Sequence, residues 1–446
     1  MRIFTLALFS VVSPAINAQV PTSAAVRIHV SPSLCGNKNM VAERQLWLPS
    51  HDVVYTPDGE SGWTKSHDVY YTYDSRGNVL SQITDDGSQK TKVVSTYDDK
   101  GQLLTEITYR TDAGSSEYKP RMKKEYAYDP DIFDLATSFD FSTIKNGDWQ
   151  RFVGSCYKRN VERNADGLVT SVTKSVLADN DTYYDQLQSR FEYNPGQKAP
   201  ESYEYLTSSG GQLATSAKYV DMKWARTSGE YLGAFSTNWF MNGNFLESAT
   251  IKDSSYGDLL LTATDNGGGA FVIEQKYASE EYKSQKEKQS YEPLDDYGSF
   301  TYSDFIYYNF KGEAATDADL YQGTITDVRF DSHGNLTQSE DRIVSQSGVD
   351  NAVMSDGVKN EYVYGGDHGE LTQTTTWEYD YMEQAYALVS KTVHEGFVNV
   401  ATGINGVVRD GMNDAAVFNL QGVMVGTSTD TLPHGVYVVG GKKIVK

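Results

Sequence analysis

Seven histidines, two cysteines and sixty acidic residues are the groups in this 446-residue chain that could carry acid–base, nucleophilic or metal chemistry. His29, His51, His67, His333, His368, His394 and His434 fall at no metal-ligand spacing. The nearest approach to a zinc-protease helix, His394-Glu395-Gly396-Phe397-Val398, has Val where the second His must stand, and there is no nucleophile elbow or phosphate loop. Asp179-Asn180-Asp181-Thr182-Tyr183-Tyr184-Asp185 puts oxygens at alternate positions as calcium loops do. It lacks the turn Gly and the bidentate Glu of an EF-hand, so a solvated acidic turn is its reading. A carboxylate pair for glycoside hydrolysis cannot be picked from sixty acids without geometry. Thirty-two tyrosines and six tryptophans could stack on sugars, but pairing across a sheet is their ordinary use. No catalytic, cofactor-binding or metal-ligating residue is assigned, and no cofactor is expected.

The elements that would position any site are strands. Tyr71-Thr-Tyr-Asp-Ser-Arg-Gly-Asn-Val-Leu80 is followed by Ser95-Thr-Tyr-Asp-Asp-Lys-Gly-Gln-Leu-Leu104, each reading as strand, turn, strand. Turn glycines at Gly77, Gly87, Gly101 and Gly114 reverse the chain too often for crossover helices, which predicts an antiparallel meander. Looser copies begin at Tyr126, Val161, Phe191, Val328 and Tyr362, and the copies at 71, 95, 328 and 362 keep the frame best. Leu103, Thr105, Ile107 and Tyr109 alternate with Leu104, Glu106, Thr108 and Arg110, giving one face to bury. Ser279 to Ser290 has the best helix propensity in the chain but no apolar stripe, so an exposed strand or loop stays open beside a helix. A second β subdomain could begin near 205.

This Tyr-Asp frame resembles the tyrosine-aspartate repeats of the RHS and teneurin families, whose hairpins wind into a long sheet or shell. The resemblance implies hairpins along 69 to 395, and a looser stack of sheets is equally allowed. It does not carry over the encapsulation of a toxin, because no toxin-like cargo follows.

The first residues put Arg2 ahead of an apolar run and Ala18 ahead of Gln19, the pattern of a secretory signal peptide cut near Ala18. The run is too short to span a bilayer as a helix, and no later segment supplies a transmembrane helix. In an oxidising compartment Cys35 and Cys156 could form one disulfide, which the sequence leaves open. A net charge of −21 opposes nucleic acid and anionic lipid as partners.

From Gly403 the chain changes texture: Ala416-Val-Phe-Asn-Leu-Gln-Gly-Val-Met-Val425, Leu432-Pro-His-Gly-Val-Tyr-Val-Val439, then Gly440-Gly441-Lys442-Lys443. Read physically, these are three short strands. The ending resembles the C-terminal sorting domain of proteins exported by the type IX secretion system of Bacteroidetes. That resemblance implies a tail read by an outer-membrane translocon.

The sequence therefore predicts an all-β chain, an antiparallel hairpin meander with a small C-terminal β domain. Its parts are a signal peptide (1–18), an N-terminal β/loop segment (19–66), the hairpin region (67–402) and the sorting-type domain (403–446). The expected function is non-enzymatic adhesion or ligand binding, with a glycan as one candidate, by a secreted or surface-displayed, outer-membrane-associated protein. The alternatives are a secreted glycan or peptide hydrolase with an unrecognised carboxylate pair, and a structural envelope protein. Expected partners are the type IX machinery, through the tail, and a surface glycan or protein.

Overall fold

The computed structural model describes residues 45–401 apart from 60–61, 133–134, 210, 228–238, 241–243 and 253–256, together with four short strands near the C-terminus. Twenty-three strands, from β1 (Gln45–Asp58) to β23 (Ala385–Ala401), form one antiparallel sheet whose first and last members pair with each other. β8 (Asp148–Arg151) pairs only with β7 (Ala136–Lys145), which also pairs directly with β9 (Tyr157–Arg163). β8 is thus a side spur, and twenty-three strands less one leave a closed ring of twenty-two. An all-antiparallel ring must be even-numbered.

The all-β antiparallel expectation holds, but an open meander does not describe the molecule. The difference lies in β1, which pairs on one side with β2 (Gly62–Tyr73) and on the other with β23, from Gln45 opposite Ala401 to Tyr55 opposite Lys391. Closure removes both exposed sheet edges. Residue 205 lies inside β12 (Pro200–Ser209), which is hydrogen-bonded to a neighbour on each side. The helix alternative at 279–290 is corrected: its second half opens the strand β17 (Gln285–Pro293), where Lys286 and Lys288 face one side and Glu287 and Gln289 the other. Cross-strand partners override intrinsic propensity there. Near the C-terminus, Val417–Asn419, Met424–Gly426, Val436–Val439 and Lys442–Val445 form a separate sheet, so four short strands replace the three expected.

The hairpin turns share one construction. The Asp74 carboxylate accepts from the backbone N–H of Arg76 and Asn78, and Asp98 does the same for Lys100 and Gln102. Asn164 and Asp331 repeat it with Asp166 and Leu168, and with His333 and Asn335. The copy at 362 departs, closing a longer turn through Gly366 and Gly369. Just before the turn, the Tyr73, Tyr97, Tyr128 and Tyr193 hydroxyls donate to backbone carbonyls of Pro49, Val79, Leu103 and Val169 on the preceding strand. Those bonds give a physical reason for tyrosine over phenylalanine at these positions. At Gly101, φ is +82° and an added Cβ would meet only Asn78 Nδ2 at 3.9 Å, so conformation rather than space demands glycine. Gly101→Val should lower stability by about 1–3 kcal/mol, read from the urea midpoint, with Gly101→Asn costing much less.

Register carries one face continuously round the ring. On β9 to β12, with β10 (Val169–Leu177) and β11 (Tyr183–Tyr193) between them, this face shows Tyr157, Val161, Val172, Ser189, Phe191, Tyr203 and Tyr205. The other shows Lys158, Asn160, Glu162, Thr173, Gln188, Arg190, Glu192 and Glu204. The first face is the inner one. Val161, Val172, Phe191, Tyr203 and Tyr205 on it belong to or pack on a core cluster with Ile251, Leu259, Leu261, Phe271 and Ile273, which come from strands up to seven places away. Trp239, from the connection after β13 (Gln212–Arg226), packs edge-on against Tyr203 and Tyr219, with centroids 5.2 and 4.7 Å apart. On these strands aromatic rings line the inner face beside Arg159 and Lys174, while Lys158, Glu162, Arg190, Glu192 and Glu204 face out.

Candidate functional site

The connections alternate between two ends of the ring. One end carries the Asp turns, and Gln45 and Ala401 pair there, so the chain enters and leaves the ring at that end. At the opposite end, β18 (Phe300–Tyr308) connects to β19 (Leu320–Phe330). There Tyr308, Phe310 and Tyr321 stand in mutual contact with centroids 4.7 to 6.4 Å apart, and Phe310 is 72% exposed. Round the same rim follow Ile343 and Val353, paired on β20 (Leu336–Ser345) and β21 (Val353–Gly365), then Tyr381 and Met382 before β23, all exposed. The aromatic loop is built rather than slack. Asn309 accepts from Lys311 N–H, and Thr316 and Asp319 form a reciprocal cap. Asp317 ties the loop to β17 through Lys286 and Lys288 at 2.5 and 2.6 Å, and those ammonium groups hold its carboxyl down to about 2.

The inner side of β17 carries a second cluster. Glu287 sits opposite Gln275 of β16 (Ala270–Tyr277), and Gln289 sits opposite Asp304 of β18. Gln289, 1% exposed, donates Nε2 to Glu287 Oε1 at 2.7 Å, and Glu287 and Asp304 sit diagonally across β17 and β18 on the same face. Burial, then the neighbouring carboxylate, pushes Asp304 up to about 8, and burial raises Glu287. Glu287, Gln275, Gln285, Tyr277 and Leu259 line a cavity with room for about one water molecule.

A third cluster closes the ring. His394 Nδ1 lies 2.7 Å from Asp52 Oδ1, Thr374 Oγ1 lies 3.0 Å from His394 Nε2, and the Tyr71 hydroxyl donates to Asp52 Oδ2 at 3.0 Å. Asp52 and His394 are buried, at 1% and 4% exposure. On the outer face of the same seam His51 lies between Asp68 and Glu395, at 3.0 and 3.2 Å, and stacks on Tyr70. The hydroxyl–imidazole–carboxylate order resembles a nucleophile–base arrangement, but each group is held by a neighbouring strand: Thr374 on β22 (Glu370–Asp380) by His394, His394 by Asp52 across the seam, and Asp52 by Tyr71 on β2.

The residues singled out in the sequence are mostly used structurally. His333 and His368 are exposed turn residues whose rings stack on Tyr364 and Trp47 at 3.9 and 4.3 Å. Asp181 binds Arg151 and Asp185 accepts from Ser175, so the 179–185 loop does not converge its oxygens. Among the described residues no three His, Cys, Asp or Glu gather as metal ligands. Cys156 is a fully buried free thiol whose Sγ donates to the Phe141 carbonyl, and burial pushes it up. Cys35, the signal segment, His29 and His434 lie outside the described residues. Sequence reasoning missed Glu287, Asp304 and the Asp52–His394 pair. The alternation of Lys286-Glu-Lys-Gln289 was the one available signal for the first, and nothing local marked the other.

No family model matches the chain, and neither does any curated protein. Among solved structures it is similar to a porin-like protein from Bacteroides uniformis, at 9% identity and a TM-score of 0.23, over 79% of this chain and 96% of that one.

Proposed function

We propose that this is a secreted, non-enzymatic binding protein held at or released from the cell surface, whose aromatic rim takes a glycan ligand. The observation that carries the reading is the Tyr308, Phe310 and Tyr321 cluster. Three contacting rings are exposed on a loop fixed by Asp317, and an exposed ring face fits the apolar face of a pyranose. Both ends of the ring's chain leave from the other end, so a tail anchored at the surface would direct this rim outward. A glycan array on residues 19–446 tests the reading. Phe310→Ala should lose at least tenfold of any binding that the parent shows, while unfolding at the parent's denaturant midpoint. Binding unchanged in the variant, or a parent that binds no glycan and cleaves substrates in a generic hydrolase screen, overturns it.

The export address rests on two segments, the apolar N-terminus and the tail after Gly403. Truncation at Asp410 should leave a folded ring in the periplasm, because every ring strand ends by Ala401. If truncated and full-length forms reach the surface equally, the tail is no address. A ring spanning the membrane is opposed by its outward charges. Lys158 and Glu162 on β9 and Arg190 and Glu192 on β11 face outward, and a Lys or Arg at the bilayer midplane costs about 2–4 kcal/mol. The purified ring should therefore stay in the aqueous phase without detergent, and partition into detergent micelles would count against this reading.

A further inference from the structure

The inner cluster on β16 to β18 leaves several buried polar atoms unsatisfied. Gln289 Oε1 and Asp304 Oδ1 have no hydrogen-bond partner, nor does the Tyr302 hydroxyl, and Gln289 and Tyr302 are 1% and 8% exposed. Three of the five such buried side-chain atoms among the described residues fall in this one place. Chance scatter over a ring of this size would not put them there, and an unsatisfied buried polar atom costs about 1–3 kcal/mol. Glu287 brings a second carboxyl beside a cavity with room for about one water.

We propose that Glu287, Asp304 and the Gln289 carbonyl oxygen, helped by the Tyr302 hydroxyl and Gln275, hold one calcium ion. All the donors are oxygens, and two carboxylates balance one divalent charge. Their positions are fixed by register: Glu287 and Gln289 are two apart on one strand, with Gln275 and Asp304 directly opposite them on the flanking strands. Strand geometry of this kind suits the variable six to eight oxygens of calcium better than the tight octahedron of magnesium. The other groups facing the pair are neutral: Tyr219 across the interior, Tyr277 on β16 and Thr324 on β19. The ammonium groups of Lys286 and Lys288 lie on the outer side with Asp317. Binding exchanges one species for another: the carboxylic proton leaves to solvent, both carboxylates become ionised, and the ion takes the charge. This inference does not depend on what the rim binds.

Isothermal titration of Ca²⁺ into EDTA-stripped residues 19–446 at pH 7 tests it. The expected result is about one ion per chain, with a Kd on the order of 0.1–1 mM as in extracellular modules. Buffers of different ionisation enthalpy should report release of up to one proton, and Mg²⁺ should bind at least tenfold more weakly. Glu287→Gln with Asp304→Asn should keep the ring folded and abolish the response. Asp304→Asn alone, which keeps one carboxyl, should weaken it at least tenfold. A parent that binds no Ca²⁺, binding unchanged in Asp304→Asn, or binding that survives in the double variant overturns the proposal. The parent titration decides even if the double variant does not fold.

Discussion

Replacing Asp52 by Ala should cost the ring about 3–5 kcal/mol, the largest loss expected from any single side chain here. The substitution leaves His394 Nδ1 without its partner in a site only 1–4% exposed, and an orphaned partner in a buried pair costs about that much. The position magnifies the effect. β1 and β23 are the only strands whose pairing joins the two ends of the chain's sheet, and Asp52 faces His394 across that pairing. Guanidinium unfolding of the parent, Asp52→Ala and His51→Ala is the measurement. His51 is on the outer face of the same seam with a quarter of its side chain exposed, so its loss should cost below about 1 kcal/mol. Equal losses for the two variants would show that the inner pair does not lock the seam.

The second large effect is on pH dependence. Asp304 is raised in the folded ring, so between the ordinary carboxylate range and about 8 the folded state holds a proton that the unfolded state has released. Stability contributed by that proton is fully present at low pH and falls as pH rises, at up to about 1.4 kcal/mol per unit. From pH 5 to pH 8 in EDTA the parent should lose about 3 kcal/mol more than Glu287→Gln/Asp304→Asn. The comparison removes other groups, which are the same in both proteins. Asp74, Asp98 and Asp295 are held low by hydrogen bonds to their turns, and their contribution is lost only as pH drops below about 4. His67, lowered by burial, gains stability with rising pH and does so in both. Parallel stability curves for the two proteins would mean that no proton is held by the pair.

The local grammar of this protein was written in its sequence. Asp or Asn three residues ahead of a positive-φ Gly determined the turns at 74, 98, 164 and 331, because the carboxylate or amide oxygen satisfies two backbone N–H groups wherever that spacing occurs. The Tyr before each turn and the alternation along each strand determined which residues share a face, since the pleat has a period of two. Those interactions span fewer than about thirty residues and need no knowledge of the remainder. Closure is of another kind. The pairing of Gln45 with Ala401, and of Asp52 with His394, joins residues some 340 positions apart, and whether a long meander stays open or closes depends on twist summed over every strand. The same holds for Glu287 and Asp304. Each is an ordinary acid in an alternating strand, and only the curvature that turns one face inward makes that face dry, brings the two carboxyls together and raises the proton affinity of the pair.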